Sequence, residues 1–174
     1  AFDYRSKIES PRWRNNWDWA LLFGSAIPAL VFGVAFGNLF LGVPFNIDNL
    51  LRASYQGSFF GLLNPFGLLA GLISITMMVG HAGMWLQLRT AHDVAKRSGQ
   101  FGRYALIACM ALFAVAGIWV SNMDGYQIVS MPDTQGYANP IAKVVTTAPG
   151  AWLDNYTAMP LTIIFPSLAF VMAL

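Results

Sequence analysis

Few side chains in this 174-residue chain have the chemistry to bind a metal or move a proton. His81 and His92 are its two imidazoles and Cys109 its single thiol. Two imidazoles raise the possibility of an iron or haem pair. Eleven residues of helix between them would span about 16 Å, too far to reach both faces of one iron. His81 therefore reads as packing or hydrogen bonding near one end of a span, and His92 as part of a charged link with Arg89, Asp93 and Lys96. Cys109 lies in an apolar run, where a lone cysteine behaves as a small packing residue. There is no HExxH, GxSxG, phosphate loop or CxxCH pattern, so nothing local performs nucleophilic or metal chemistry. Asp3 stands apart. It lies in the opening AFDYRSKIESPRWRNNWDW beside Arg5 and Lys7. An acid among bases at the mouth of a helical bundle can collect protons for an inward path. The simpler reading is a salt bridge to Arg5 or Lys7.

Those residues must be held by something unlike a soluble domain. Hydrophobic residues make up 56% of the chain and charged residues 10%, with a mean hydropathy of +0.53. Soluble domains carry about 25% charged residues, so the polar shell that water demands is missing. The composition predicts an all-α, multi-pass membrane protein. A net charge of +2 gives no footing for nucleic acid.

Four spans are expected, at about 17–41, 65–88, 104–120 and 159–174, all within one transmembrane helical domain covering 1–174. Asn16 is the expected N-cap of the first, with Asp18 in its first turn, where the helix dipole favours an anion. Asn64-Pro65 supplies an N-cap and a first-turn proline for the second. Residues 54–63 are expected to lie along the interface before it. Outside the spans, Lys and Arg fall as four in residues 1–16, one in 42–64, four in 89–103 and one in 121–158. Under the positive-inside rule this alternation makes 1–16 and 89–103 cytoplasmic links, and 42–64 and 121–158 outer ones. Trp13, Trp17, Trp19 and Trp85 fall at the inner ends of spans and Trp119 and Trp152 at the outer ends, where indoles favour the headgroup layer. Gly33/Gly37 and Gly67/Gly71 are small-xxx-small pairs that predict close packing of the first two spans. In the last link, Tyr126–Ser130 and Lys143–Thr147 are β-prone and predict an outer hairpin after the turn Asp124-Gly125.

The order of FDYRSKIE, RWRNNWDW, GVAFGNLFLGVPFNID, LLNPFGLLAG and DGYQIVS resembles subunit II of the bacterial cytochrome bd ubiquinol oxidases, a type shared with the cyanide-insensitive quinol oxidases. The resemblance covers most of the chain. It implies a subunit of two four-helix bundles plus a peripheral helix, in the bacterial cytoplasmic membrane. It also implies an electrogenic complex that oxidises quinol, reduces oxygen to water and takes protons from the cytoplasm. Haems b and d, and the quinol site, would belong to a partner, subunit I, and this chain would bind no cofactor directly. Small single-helix accessory subunits, membrane lipid and a structural quinone are further partners implied. By the same resemblance the aspartate of the FDY segment, here Asp3, sits near the proton entry between the large subunits. Family members are roughly twice as long, so the chain is expected to be the central part of such a subunit, inactive alone. The rival expectation is a segment of a secondary transporter, suggested by Pro28, Pro160 and Pro166 in apolar runs. A stand-alone haem protein using His81 or His92 is a third.

Overall fold

The computed structural model describes residues 2–130 and 143–172. Ala1, part of the expected outer link (131–142) and the last two residues of the expected fourth span (173–174) lie outside the described residues. The fold is mostly helical. Among the described residues, three helices are long and apolar enough to cross a membrane, or up to four crossings result if a sharply bent pair forms one.

A short helix α1 (Phe2–Ser6) precedes α2 (Pro11–Leu41), which is continuous for 31 residues. The expected N-cap at Asn16 is not one. The helix begins six residues before Trp17, after an extended Ser10, with Pro11 in its first turn. Proline suits that position because its missing N–H had no intrahelical partner there. At 1.5 Å per residue α2 is about 46 Å long, more than the ~30 Å of bilayer hydrocarbon. Absence of charge therefore marks the hydrocarbon crossing rather than the helix, and the charged first turns extend into the headgroup layer.

The same reason corrects the link expected at 89–103. Helix α3 (Pro65–Arg89) is followed after two residues by α4 (His92–Ser121), so Lys96, Arg97 and Arg103 are helical. The reversal occurs at Thr90-Ala91, with His92 at φ 56°, a left-handed conformation that histidine adopts more often than most residues. His81 and His92 thus sit on different helices, and the 16 Å separation expected along one axis does not apply. The start of α3 is as anticipated: Asn64 Oδ1 accepts from the Gly67 amide at 2.7 Å, with Pro65 next in sequence.

Helices α2, α3 and α4 pack in sequence through missing side chains. A Cβ on Gly33 would lie 2.6 Å from Gly71 Cα, and one on Gly37 would lie 2.9 Å from Gly67 Cα. The next interface uses Gly83, where a Cβ would meet Gly102 Cα at 2.5 Å, and Gly80, where it would meet the Leu106 side chain at 2.7 Å. In lipid the hydrophobic effect does not draw helices together, so backbone approach and van der Waals contact carry the association. The second pairing is spaced i, i+3 and is missed by a search for i, i+4 pairs alone.

One polar group is buried in the first interface. Asn38, 5% exposed, donates from Nδ2 to the carbonyls of Val34 and Leu62, each at 2.8 Å. Its Oδ1 accepts from Asn64 Nδ2 at 2.8 Å. Because Asn64 also caps α3, this amide pair joins the C-terminal part of α2 to the start of α3. A buried amide satisfied at both ends specifies register, whereas one left unpaired costs about 1–3 kcal/mol.

Among the described residues, two small antiparallel hairpins accompany the helices. Strands β1 (Phe45–Ile47) and β2 (Ala53–Tyr55) pair antiparallel, β2 running into the 54–63 stretch expected along the interface, where a 3₁₀ turn forms at Phe59–Leu62. Asp48 organises their turn. Its Oδ1 accepts from the amides of Leu50 and Arg52 at 2.9 and 2.8 Å, and its Oδ2 accepts from Arg52 Nε at 2.7 Å. These donors, the Arg52 amide foremost, hold its carboxyl below the usual carboxylate range. The anticipated second hairpin is β3 (Asp124–Ser130) against β4 (Val144–Pro149), with Tyr126 opposite Thr147. It rests on the ends of the long helices through rings. Phe40, Phe66 and Trp119, from α2, α3 and α4, form a chain of edge contacts continued by Trp152 and Tyr126. Gly42, at φ 77°, leaves room for the Tyr126 hydroxyl, which donates to the Leu41 carbonyl at 3.4 Å.

The expected fourth span begins at a sharp bend, at the Met159-Pro160 position anticipated for its start. Residues Ala151–Ala158, ending in α5 (Asp154–Ala158), meet Pro160–Met172, which contains α6 (Ile164–Met172), at 112°. Met159 lies in the break, and Pro160 carries no N–H to continue the helical ladder.

Gly33→Val and Gly83→Val in the full-length protein are expected to force the helices apart at a destabilisation of about 1–3 kcal/mol each. Gly24→Ala, where a Cβ meets nothing within 4 Å, should be neutral or slightly stabilising. Melting midpoints in detergent check both. Asp48→Asn should lower the melting midpoint at pH 7. A depressed native carboxyl pKa stabilises above the unfolded value of about 3.9 and ceases to do so as pH falls through the native value. The gap between wild type and Asp48→Asn should therefore close below about pH 4.

Candidate functional site

The opening segment folds back on the start of α2, with Pro11 permitting the reversal between α1 and the long helix. Arg5 reaches thirteen residues ahead to Asp18, donating from Nε to Oδ1 at 2.5 Å and from Nη2 to Oδ2 at 3.1 Å. Such a two-point guanidinium–carboxylate contact fixes orientation as well as distance. Trp13 donates its indole N–H to the Tyr4 carbonyl at 2.8 Å. The Tyr4 ring stacks on Trp17 with centroids 5.5 Å apart, and Trp13 meets Trp17 edge-on at 5.9 Å. Lys7 Nζ lies 4.4 Å from the centre of the Tyr4 ring. The tryptophans expected at an interface therefore also clamp α1.

Asp3 projects from this clamp with its side chain 82% exposed. Its one ion pair among the described residues is with Lys7, at 3.7 Å, long and solvated, and worth little by itself. Of the two salt-bridge partners expected for it, Lys7 is used and Arg5 is not. The guanidinium instead holds Asp18, whose expected role at the head of a helix dipole does not apply, since α2 starts seven residues earlier. The Arg5–Asp18 pair was missed because no helical spacing links the two positions. The available signal was that Asp18 is the one ionisable residue in an otherwise uncharged expected span, and such a residue calls for a partner.

The remaining candidates do not converge on this site. His81 is exposed in the middle of α3 and His92 opens α4. Cys109 Sγ lies 3.8 Å from the Ile73 carbonyl, packing α4 on α3. Near the end of α3, the Arg89 guanidinium sits 4.7 Å from the Trp85 ring centre.

The pattern described as "Cytochrome bd terminal oxidase subunit II" matches residues 1–174, the whole chain. The chain belongs to this family. It is 47% identical over 175 aligned residues to "Cytochrome bd-I ubiquinol oxidase subunit 2" of Escherichia coli (strain K12). It is 46% identical over 174 residues to "Probable cytochrome oxidase subunit 2" of Haemophilus influenzae. Both alignments cover 100% of this chain and 46% of the relative. A more distant relative, "Cytochrome bd ubiquinol oxidase subunit 2" of Bacillus subtilis, is 30% identical over 71% of this chain and 36% of its own length. The chain thus spans about half the length of the curated relatives it matches. Membership of the cytochrome bd subunit II family agrees with the three long apolar helices, or four crossings with the bent pair, among the described residues.

Trp13→Phe keeps the ring contacts and removes the bond to the Tyr4 carbonyl, expected to weaken the clamp by about 1 kcal/mol. Limited trypsin cleavage after Arg5 and Lys7 in the full-length protein should then run about five-fold faster, because cleavage of a rapidly opening segment tracks its open population.

Proposed function

We propose that this chain is the haem-free subunit II portion of a bd-type quinol oxidase, a scaffold for a haem-bearing subunit I and a contributor to its proton path. In this reading the complex oxidises ubiquinol and reduces oxygen to water in the bacterial inner membrane. Haems b and d and the quinol site reside in subunit I. Small single-helix subunits, lipid and a structural quinone complete the partners. The chain does no redox chemistry by itself.

The reading of the site rests on one observation above others: Asp3 is a solvent-accessible carboxylate on a segment that is otherwise clamped to the foot of α2. Reduction of oxygen to water consumes protons, and a carboxylate reachable by bulk water but fixed against the bundle can relay them. The Lys and Arg distribution puts residues 1–16 on the cytoplasmic side under the positive-inside rule, where those protons originate. Asp3 takes a proton from water and passes it toward the interface with subunit I. Lys7 and Arg5 keep the local field positive, and Arg12 and Arg14 hold the segment inside and touch anionic lipid.

Asp3→Asn in the intact oxidase should slow oxygen consumption with quinol by about ten-fold or more, as expected for losing a positioned proton carrier. The reduced-minus-oxidised haem spectrum should stay unchanged. Wild-type turnover in that variant would remove Asp3 from the mechanism. A purified complex without haem absorbance would reject the oxidase assignment in favour of the transporter reading.

A further inference from the structure

Two of the three acids in the opening segment and the foot of α2, Asp3 and Asp18, have opposite settings. Asp18 is engaged through both oxygens by Arg5, while Asp3 has a single long contact to Lys7. At about 100° per residue, Asp3 and Arg5 lie roughly 200° apart around α1. A contact that draws Arg5 onto α2 therefore turns Asp3 away from it. Tyr4, about 100° from each of them around α1, also holds the helix: its ring stacks on Trp17, and its carbonyl accepts from Trp13. Those contacts hold α1 at Tyr4, and the two-point Arg5–Asp18 pair adds a directional restraint on the side of α1 turned from Asp3.

We infer that Arg5 and Asp18 form a positioning pair that sets the direction in which Asp3 presents its carboxylate. This rests on the proton-relay reading of Asp3. Neither residue of the pair exchanges protons in this scheme. Asp18 is a fixed anchor on α2 and Arg5 is the arm that transmits its position to α1. Asp18 is also the right residue to serve as anchor, because it belongs to the first turns of a 31-residue helix that α3 holds in place through Gly33 and Gly37. Rotational slack in α1 thereby becomes small without either residue of the pair touching Asp3 itself.

The test is oxygen consumption per haem in the intact oxidase carrying Arg5→Gln, Asp18→Asn, Asp18→Glu, Asp3→Asn and the double variant Asp3→Asn/Asp18→Asn. Arg5→Gln and Asp18→Asn should each slow turnover several-fold, and Asp18→Glu should retain most of it. The double variant should be no slower than Asp3→Asn, since a pair that acts only through Asp3 has nothing left to position. A further drop in the double variant would show an independent or merely structural role and overturn the inference. Wild-type turnover in both Arg5→Gln and Asp18→Asn, with Asp3→Asn still slow, would overturn it while leaving the relay intact. Wild-type turnover in Asp3→Asn would remove the relay and the positioning pair together. Normalising to haem separates these outcomes from lost assembly, and Arg5→Gln decides the matter should Asp18→Asn fail to assemble.

Discussion

Close approach of helix backbones is the condition on which the rest of this structure depends. In lipid, water neither satisfies backbone groups nor drives apolar faces together. Helices must satisfy their own hydrogen bonds and gain association energy from contact. Glycine provides that contact here, at Gly33 and Gly37 against Gly67 and Gly71, and at Gly80 and Gly83 against Gly102 and Leu106. Once the backbones are that close, Asn38 can reach both the Leu62 carbonyl and Asn64. The same approach brings Phe40, Phe66 and Trp119 within edge contact at one end of the bundle.

The two ends of α2 are used differently. At its C-terminal end, aromatic rings and a hairpin cover the helix ends, joined by the Tyr126 hydroxyl over Gly42. At its N-terminal end a short charged helix is strapped on by one ion pair, one indole hydrogen bond and one ring stack. The first arrangement is apolar and suits a structural cap. The second combines a rigid attachment with an accessible carboxylate, as a relay at a water boundary requires. In the proposed relay, that accessible carboxylate is the group that exchanges protons with water.

Much of the helical plan was legible in the sequence because lipid imposes a simple rule on composition. The α3 start was readable from Asn64-Pro65, since capping is a local hydrogen-bond requirement. The second hairpin was readable from β-prone runs beside Asp124-Gly125. Helix ends were less so: α2 and α4 extend through residues whose charges had suggested links. Charge reports where hydrocarbon stops, whereas the helical hydrogen-bond ladder continues into the headgroup layer. The site was legible only in part. Asp3 stood out as an acid that topology does not require, but its partner Lys7 was one of two options, and the engagement of Arg5 with Asp18 was not foreseen.

The sequence by itself determined the solvent, the approximate number of crossings and the family, because these depend on composition, run length and ordered motifs that survive without coordinates. It also singled out Asp3. Only the tertiary structure decided the turn at Thr90-Ala91, the second glycine interface, the 112° break before α6 and the Arg5–Asp18 pair. Each of these depends on where the chain reverses. A reversal brings together residues whose separation in sequence follows no helical or strand period, so no spacing rule applied to the sequence could have paired them.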